Sequence, residues 1–165
     1  NAMLVNCSVW DGSVVNASQA FESILGRNVH VGPFAHIRPG CEIADGCKIG
    51  AFVEVKNASF GQDTKLSHLT YVGDAQVGSR VNFGCGTITS NYDGFQKHRT
   101  VIGDGAFIGC NVNLVPPVSV GDGSYIAAGT TVTKDVEADA LAVGRVRQEN
   151  KPGWAKKRRQ LHGGK

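Results

Sequence analysis

Val31, Ile37, Ile43, Ile49 and Val55 place a branched aliphatic at every sixth residue, and the fourth position after each is small or short: Ala35, Cys41, Cys47, Val53 and Ser59. A six-residue beat fits neither the two-residue alternation of a simple strand nor the period of about 3.6 residues of a helix. It is the pattern of a solenoid of short parallel strands. The beat runs on through Phe60, Leu66, Val72, Val77 and Phe83, with two steps of five, and resumes at Ile102, Ile108, Leu114, Val120, Ile126 and Val132. Glycine often follows the aliphatic, as in Val31-Gly32, Ile49-Gly50 and Ile108-Gly109, where a recurring corner needs backbone angles that other residues reach with strain. Three hexads close one triangular coil of eighteen residues, so residues eighteen apart stack about 4.8 Å from each other along the axis. An ordinary β-sandwich would instead show turn clusters every ~8–12 residues and two-fold alternation.

The predicted fold is therefore all-β, a hexapeptide-repeat solenoid, with three stretches out of step. Residues 4 to 30 keep only Leu25-Gly26 in phase and read as irregular starting coils. The polar segment 89–101, with an Asp93-Gly94 turn signal, reads as a loop thrown out from a corner, rejoining a face that the sequence does not specify. After Val136 the chain reads as an irregular tail, broken at Pro152-Gly153. The expected organisation is a cloning remnant over 1–3, a β-helix domain over 4–137, and a C-terminal arm with a basic tail over 138–165.

A chain of 165 residues suits one domain with a linear core. Its 17 basic and 14 acidic residues leave a net charge of +3, and Lys156-Lys157-Arg158-Arg159 carries much of it. Without interleaved aromatics or a known module, that run reads as a solvated tail rather than a nucleic-acid site. No apolar stretch approaches the ~20 residues that span a membrane, and no signal peptide is visible. Five cysteines without a CxxC pair point to a reduced, cytoplasmic setting, with Cys41 and Cys47 acting as small apolar groups inside the coil.

Stacking then makes neighbours of distant residues. Arg38 follows Ile37 and Lys56 follows Val55, so both point outward from one face, one coil apart. Two cations so placed repel unless an anion lies between them, and a phosphate suits the pair, although both could equally fan into water or be neutralised by Glu54. His68, close to Tyr71, stands roughly a coil further on, where an imidazole could serve as a general base.

The runs Arg38-Pro39-Gly40, Val53-Glu54-Val55-Lys56, His68-Leu69-Thr70-Tyr71-Val72-Gly73-Asp74, Gly84-Cys85-Gly86-Thr87-Ile88-Thr89, Asn91-Tyr92-Asp93-Gly94 with Lys97, and Ile126-Ala127-Ala128-Gly129-Thr130 carry a specific resemblance. From about residue 24 to about residue 155 the chain resembles the acetyltransferase half of the bacterial bifunctional enzymes that make UDP-N-acetylglucosamine. The resemblance implies a left-handed parallel β-helix, a homotrimer with sites between subunits, and acetyl transfer from acetyl-CoA to the amine of glucosamine 1-phosphate. By the same matching, His68 is the base, Arg38, Lys56, Tyr71, Asn82 and Lys97 hold the sugar phosphate, and Cys85, Asn91, Tyr92, Cys110, Ala128 and Arg145 contact acetyl-CoA. No metal is expected in this step, because CoA already carries an activated acetyl group.

Two features depart from that pattern. Cys85 and Cys110 stand where alanine or serine is expected, which suits either a small side chain with the cofactor contact made by backbone, the favoured reading, or a thiol acylated or oxidised near the cofactor. The chain also has no glycine-rich nucleotide loop, so it is either a piece of a longer polypeptide or a free-standing acetyltransferase. Three other readings compete. A zinc hydratase on the same fold would need several of His30, His36, His68, His98 and His162 to converge. A scaffold would release no CoA, and a related acyltransferase would use another amine, such as serine or an aminosugar nucleotide.

Overall fold

The computed structural model describes residues 1–163. Over these residues the chain winds as a parallel β-solenoid of 21 short strands, followed by one helix, Trp154–Leu161. Each coil gives a strand to each of three faces. The first face stacks Met3–Val5, Gln19–Phe21, His36–Ile37, the starts of Glu54–Phe60 and Tyr71–Val77, then Ile88–Thr89, Asn113–Leu114 and Thr131–Val132. The second carries Ser8–Val9, Ile24–Leu25, Glu42–Ile43, the ends of the two seven-residue strands, Thr100–Ile102 and Val118–Val120. The third is an eight-stranded sheet from Val14–Val15 to Leu141–Ala142.

The sixth-residue aliphatics fill the prism. Ile37, Ile49, Val55, Leu66, Val72, Ile108, Leu114 and Ile126 are fully buried, each above its counterpart in the coil below. Val31 pairs with Ile49, and Ile37 with Val55, eighteen residues on in both cases. Left-handed backbone recurs at the edges where faces meet: Phe34, Phe52, Leu69, Gly86, Asn111 and Gly129 on the third-to-first edge, and Glu22, Gly40, Asn57 and Asp74 on the first-to-second. Such angles cost an ordinary side chain of order 1 kcal/mol or more, which is offset here by the stack of rungs that closes around each corner.

Three expectations are corrected. The stretch 4–30 is not irregular: Met3 pairs with Gln19, Ser8 with Ile24 and Val14 with His30 in full register. The first turn is sixteen residues long rather than eighteen, which hides the beat, and Leu4 and Val9 remain exposed because no coil lies beneath them. The inward slot of the fifth hexad is Ala58, buried at 2 % exposure, rather than Ser59, because the step from Val55 to Phe60 is only five residues. The tail is not wholly irregular either. Leu141–Ala142 pairs with Tyr125–Ile126 as one more rung past residue 137, and Trp154–Leu161 is helical with no buried residue.

The expected loop is present. The strand Thr100–Ile102 rejoins the second face, pairing with Ala75–Val77, so the excursion leaves from the first-to-second edge. It folds as a small hairpin with an antiparallel bridge between Tyr92 and Lys97.

Candidate active site

The site is built across the first face, between its two edges. Arg38 donates its backbone N–H to Val55 O at 2.8 Å, which fixes Lys56 one rung above it. The register then sets Lys56 beside Gly73. Arg38 Nη1 also meets Glu54 Oε1 at 2.9 Å, so this carboxylate neutralises the lower cation and leaves Lys56 alone. A third cation comes from the hairpin: Lys97 shares a cavity with Asn57, the residue after Lys56, and its charge, with burial, holds the Lys56 ammonium below the usual lysine range.

Beside this cluster lies a buried carboxylate. Asp74 Oδ1 accepts from Asn57 Nδ2 at 2.6 Å, and its Oδ2 accepts from Asn91 Nδ2. Burial pushes the Asp74 carboxyl up, but the two amides and the Lys97 and Lys56 charges outweigh it and hold it below the usual carboxylate range. A cavity of about 250 Å³ lined by Asn57, Asp74, Lys97, His98 and Arg99 opens at this edge. A larger groove of about 420 Å³, with Trp10, Ile24, Phe60 and Val77 in its walls, lies on the second face and contains none of the candidate residues.

Tyr71 occupies the middle of the first face, and its hydroxyl lies so close to Gly73 that a Cβ there would stand 2.4 Å from Oη. Only glycine leaves the ring in that position. His68 ends the strand Lys65–His68 on the third-to-first edge, exposed, with Thr70 Oγ1 donating to its carbonyl at 2.7 Å. Leu66 pairs with Phe83, Phe83 with Ile108 and Ile108 with Ile126, so Cys85, Cys110 and Ala128 follow His68 up the same edge. Arg145 Nε donates to Ala128 O at 2.9 Å and crosses the top of that column. Around Cys110, Gly109 N donates to Ile126 O and Asn111 N to Cys85 O, while among the described residues the Cys110 N–H has no backbone acceptor.

Most of the residues singled out in the sequence are thus drawn to one face and its edges. Asn82 is not: it sits on the third face between Lys65 and Phe107, away from the cations. Asn91 is buried and commits its side-chain donor to Asp74, whereas Tyr92 is exposed, its hydroxyl donating to Gly94 O at 2.6 Å. Cys41 and Cys47 lie in the core, where burial raises both thiols, Cys47 to about 11. No group of three or more His, Cys, Asp or Glu side chains among the described residues is placed to hold a metal ion. No helix among them is long and apolar enough to cross a membrane.

Sequence alone assigned no role to Asn57 and Asp74. The signal was there: 57, 74 and 91 are separated by seventeen residues each, one coil apart.

This winding is shared by solved structures of low sequence identity. The polySia-specific acetyltransferase NeuO superimposes with a TM-score of 0.56 at 15 % identity, over 98 % of this chain and 95 % of that one. The product of the BC4754 gene of Bacillus cereus gives 0.55 at 17 % identity, over 98 % and 91 %. The bacterial transferase hexapeptide (six repeats) family matches residues 22–57 and 99–134. The chain is thus a hexapeptide-repeat transferase, a left-handed parallel β-helix.

Within that class it belongs to the GlmU family over the segment it spans. It is 51 % identical over 158 residues to bifunctional protein GlmU of Clostridium botulinum (strain ATCC 19397 / Type A), covering 96 % of this chain and 35 % of that protein. Against bifunctional protein GlmU of Caldicellulosiruptor saccharolyticus it is 56 % identical over 135 residues, covering 82 % and 29 %. The chain spans about a third of the length of these relatives.

Proposed function

We propose that this chain transfers the acetyl group of acetyl-CoA to the 2-amino group of glucosamine 1-phosphate, giving N-acetylglucosamine 1-phosphate on the way to UDP-N-acetylglucosamine. The observation that carries this is the convergence of Arg38, Lys56 and Lys97 at one edge of the face whose other edge bears His68. A phosphate held by the cations would lie across Tyr71 from the imidazole, which suits a sugar phosphate with an amine at its far end.

Each residue then has a task. The cations grip the phosphate, with arginine suited to bidentate contact and the lysines adding point charge. His68 removes a proton as the amine attacks the thioester carbonyl, a contribution of typically ~10² to 10⁴ in rate. The Cys110 N–H, without a backbone acceptor among the described residues, can donate to the developing oxyanion. Cys85, Ala128, Arg145, Asn91 and Tyr92 are assigned to acetyl-CoA along the same edge and hairpin. No covalent acyl-enzyme and no metal ion is required, because the thioester is already activated.

The reading includes a homotrimer acting in the cytoplasm. Asn82 supports it, since a neighbouring copy presenting its third face would bring this amide to the cations. Phe107 and Tyr125, stacked at 4.5 Å and both exposed above Asn82, would be covered in the same contact. The test is to mix the protein with acetyl-CoA and glucosamine 1-phosphate and follow free thiol. CoA release that needs glucosamine 1-phosphate is expected. Release with serine or an aminosugar nucleotide, and none with glucosamine 1-phosphate, would replace the acceptor.

A further inference from the structure

Asp74 has no place in the chemistry above, yet it is buried, charged and tied to two rungs. It keeps 8 % exposure and adopts left-handed backbone at φ 51°, a conformation aspartate tolerates better than most residues. Asn57, one rung below, and Asn91, one rung above, both point side-chain N–H groups at it. A group that accepts on both sides is needed between two donors, and a carboxylate meets that need without a donor of its own.

This ladder joins the two lysines. Lys56 immediately precedes Asn57, and the hairpin that carries Lys97 starts at Asn91, whose carbonyl accepts from His98 N at 2.8 Å. The two ammonium groups carry like charge and repel, so something must hold the hairpin in place when no phosphate is present.

We propose that Asp74 is a positioning residue that clamps the Lys97 hairpin against the Lys56 strand, forming the phosphate grip before substrate arrives. The proposal rests on the acetyl-transfer reading for its kinetic consequence, while the clamp itself exists in the free protein. Asp74 acts through Asn57 and Asn91 and need not touch the sugar.

The test uses Asp74→Asn alone and Asp74→Asn combined with Asn57→Asp. In the single variant, an amide N–H₂ faces one of the two neighbouring N–H₂ groups, and the ladder opens. Trypsin should then cut substrate-free protein after Lys97 or Arg99 about tenfold faster, in line with losing a charge-assisted hydrogen bond. The KM for glucosamine 1-phosphate should rise by about tenfold or more, with kcat within about threefold, because the lost contact is binding rather than chemistry. In the double variant the carboxylate introduced at position 57 accepts from the amide introduced at position 74, and that amide's carbonyl accepts from Asn91. The ladder thereby regains its polarity, so trypsin resistance and KM should return to within about threefold of the parent.

An Asp74→Asn protein as trypsin-resistant as the parent overturns the clamp. So does a double variant as loose as the single one. Because proteolysis is read without substrates, failure of the parent to acetylate glucosamine 1-phosphate would remove the proposed function and leave the clamp to be judged by trypsin alone.

Discussion

Replacing Lys97 with alanine tests the electrostatic logic of the phosphate grip most directly. Three cations converge, but Glu54 already neutralises Arg38, so Lys56 and Lys97, with the single Asp74 carboxylate beside them, supply the surplus positive charge. A hydrogen bond to a charged group is worth about 1.5–3 kcal/mol, and the exposure of Lys97 argues for the lower end. About 1.4 kcal/mol is tenfold in affinity, so the variant should bind a sugar phosphate about tenfold more weakly. A second effect has the opposite sign. Lys97 lowers the affinity of Lys56 for its proton, so the parent loses the Lys56 charge at a lower pH than an isolated lysine would. Removing Lys97 restores that proton, and the alkaline loss of binding moves to higher pH. Glucose 1-phosphate is a suitable probe because it has no amine to titrate. Its dissociation constant is measured by calorimetry from about pH 7.5 upward, where its phosphate is fully ionised. Affinity changed by less than about twofold, or an alkaline limb that moves down in pH, would refute the convergence of these two lysines on one phosphate.

His68→Ala should lower kcat by about a hundredfold or more with little change in KM for either substrate, read from free-thiol release; unchanged turnover removes the imidazole from the base role. Gly73→Ala puts a methyl where Tyr71 Oη now lies, so the ring must turn away, and KM for the sugar phosphate should rise while the melting temperature changes by only a few degrees. Ile108→Ala removes a fully buried side chain from the middle of the stack, which should cost about 2–5 kcal/mol and lower the melting temperature by roughly 5–15 °C; scanning calorimetry checks it, and a drop under about 2 °C would contradict a continuous core. The Asp93 carboxyl is held down to about 2, first by the Gln96 N–H and next by His98, so its share of hairpin stability is present above the unfolded value near about 4 and fades as pH falls toward 2. Protection of the Phe95 and Gln96 amides, taken against the exchange of an unstructured peptide at the same pH, should be high at pH 5 and fall between about pH 4 and 2.

Much of this was legible because the solenoid maps sequence distance onto space with few exceptions. The placement of Arg38 beneath Lys56 follows from the spacing of Ile37 and Val55, and it is what the structure shows. The starting coils were not legible, since shortening to sixteen residues removes the beat and an end coil has no need of an apolar underside. The exit of the hairpin was hidden for a different reason. A polar loop carries no periodicity, and only the pairing of Thr100–Ile102 with the strand below says which face takes the chain back. Asp74 was overlooked because, as a polar residue at a corner, it looks like a turn former; its partners become visible only once the coil is known to shorten to seventeen residues here. Asn82 shows the opposite limit, a residue matched by resemblance that the winding of this chain does not deliver to the cations.

The step of twenty-five residues from Phe83 to Ile108 still brings the chain back in phase, since the surplus is discharged entirely at one edge. A single added residue within a rung would turn every later side chain inside out, whereas a whole hairpin at a corner disturbs nothing downstream. The edges are therefore ports where new recognition elements can be grafted onto an unchanged spindle. Chemistry on such a frame can diversify through what is inserted between coils, while the coils themselves stay locked.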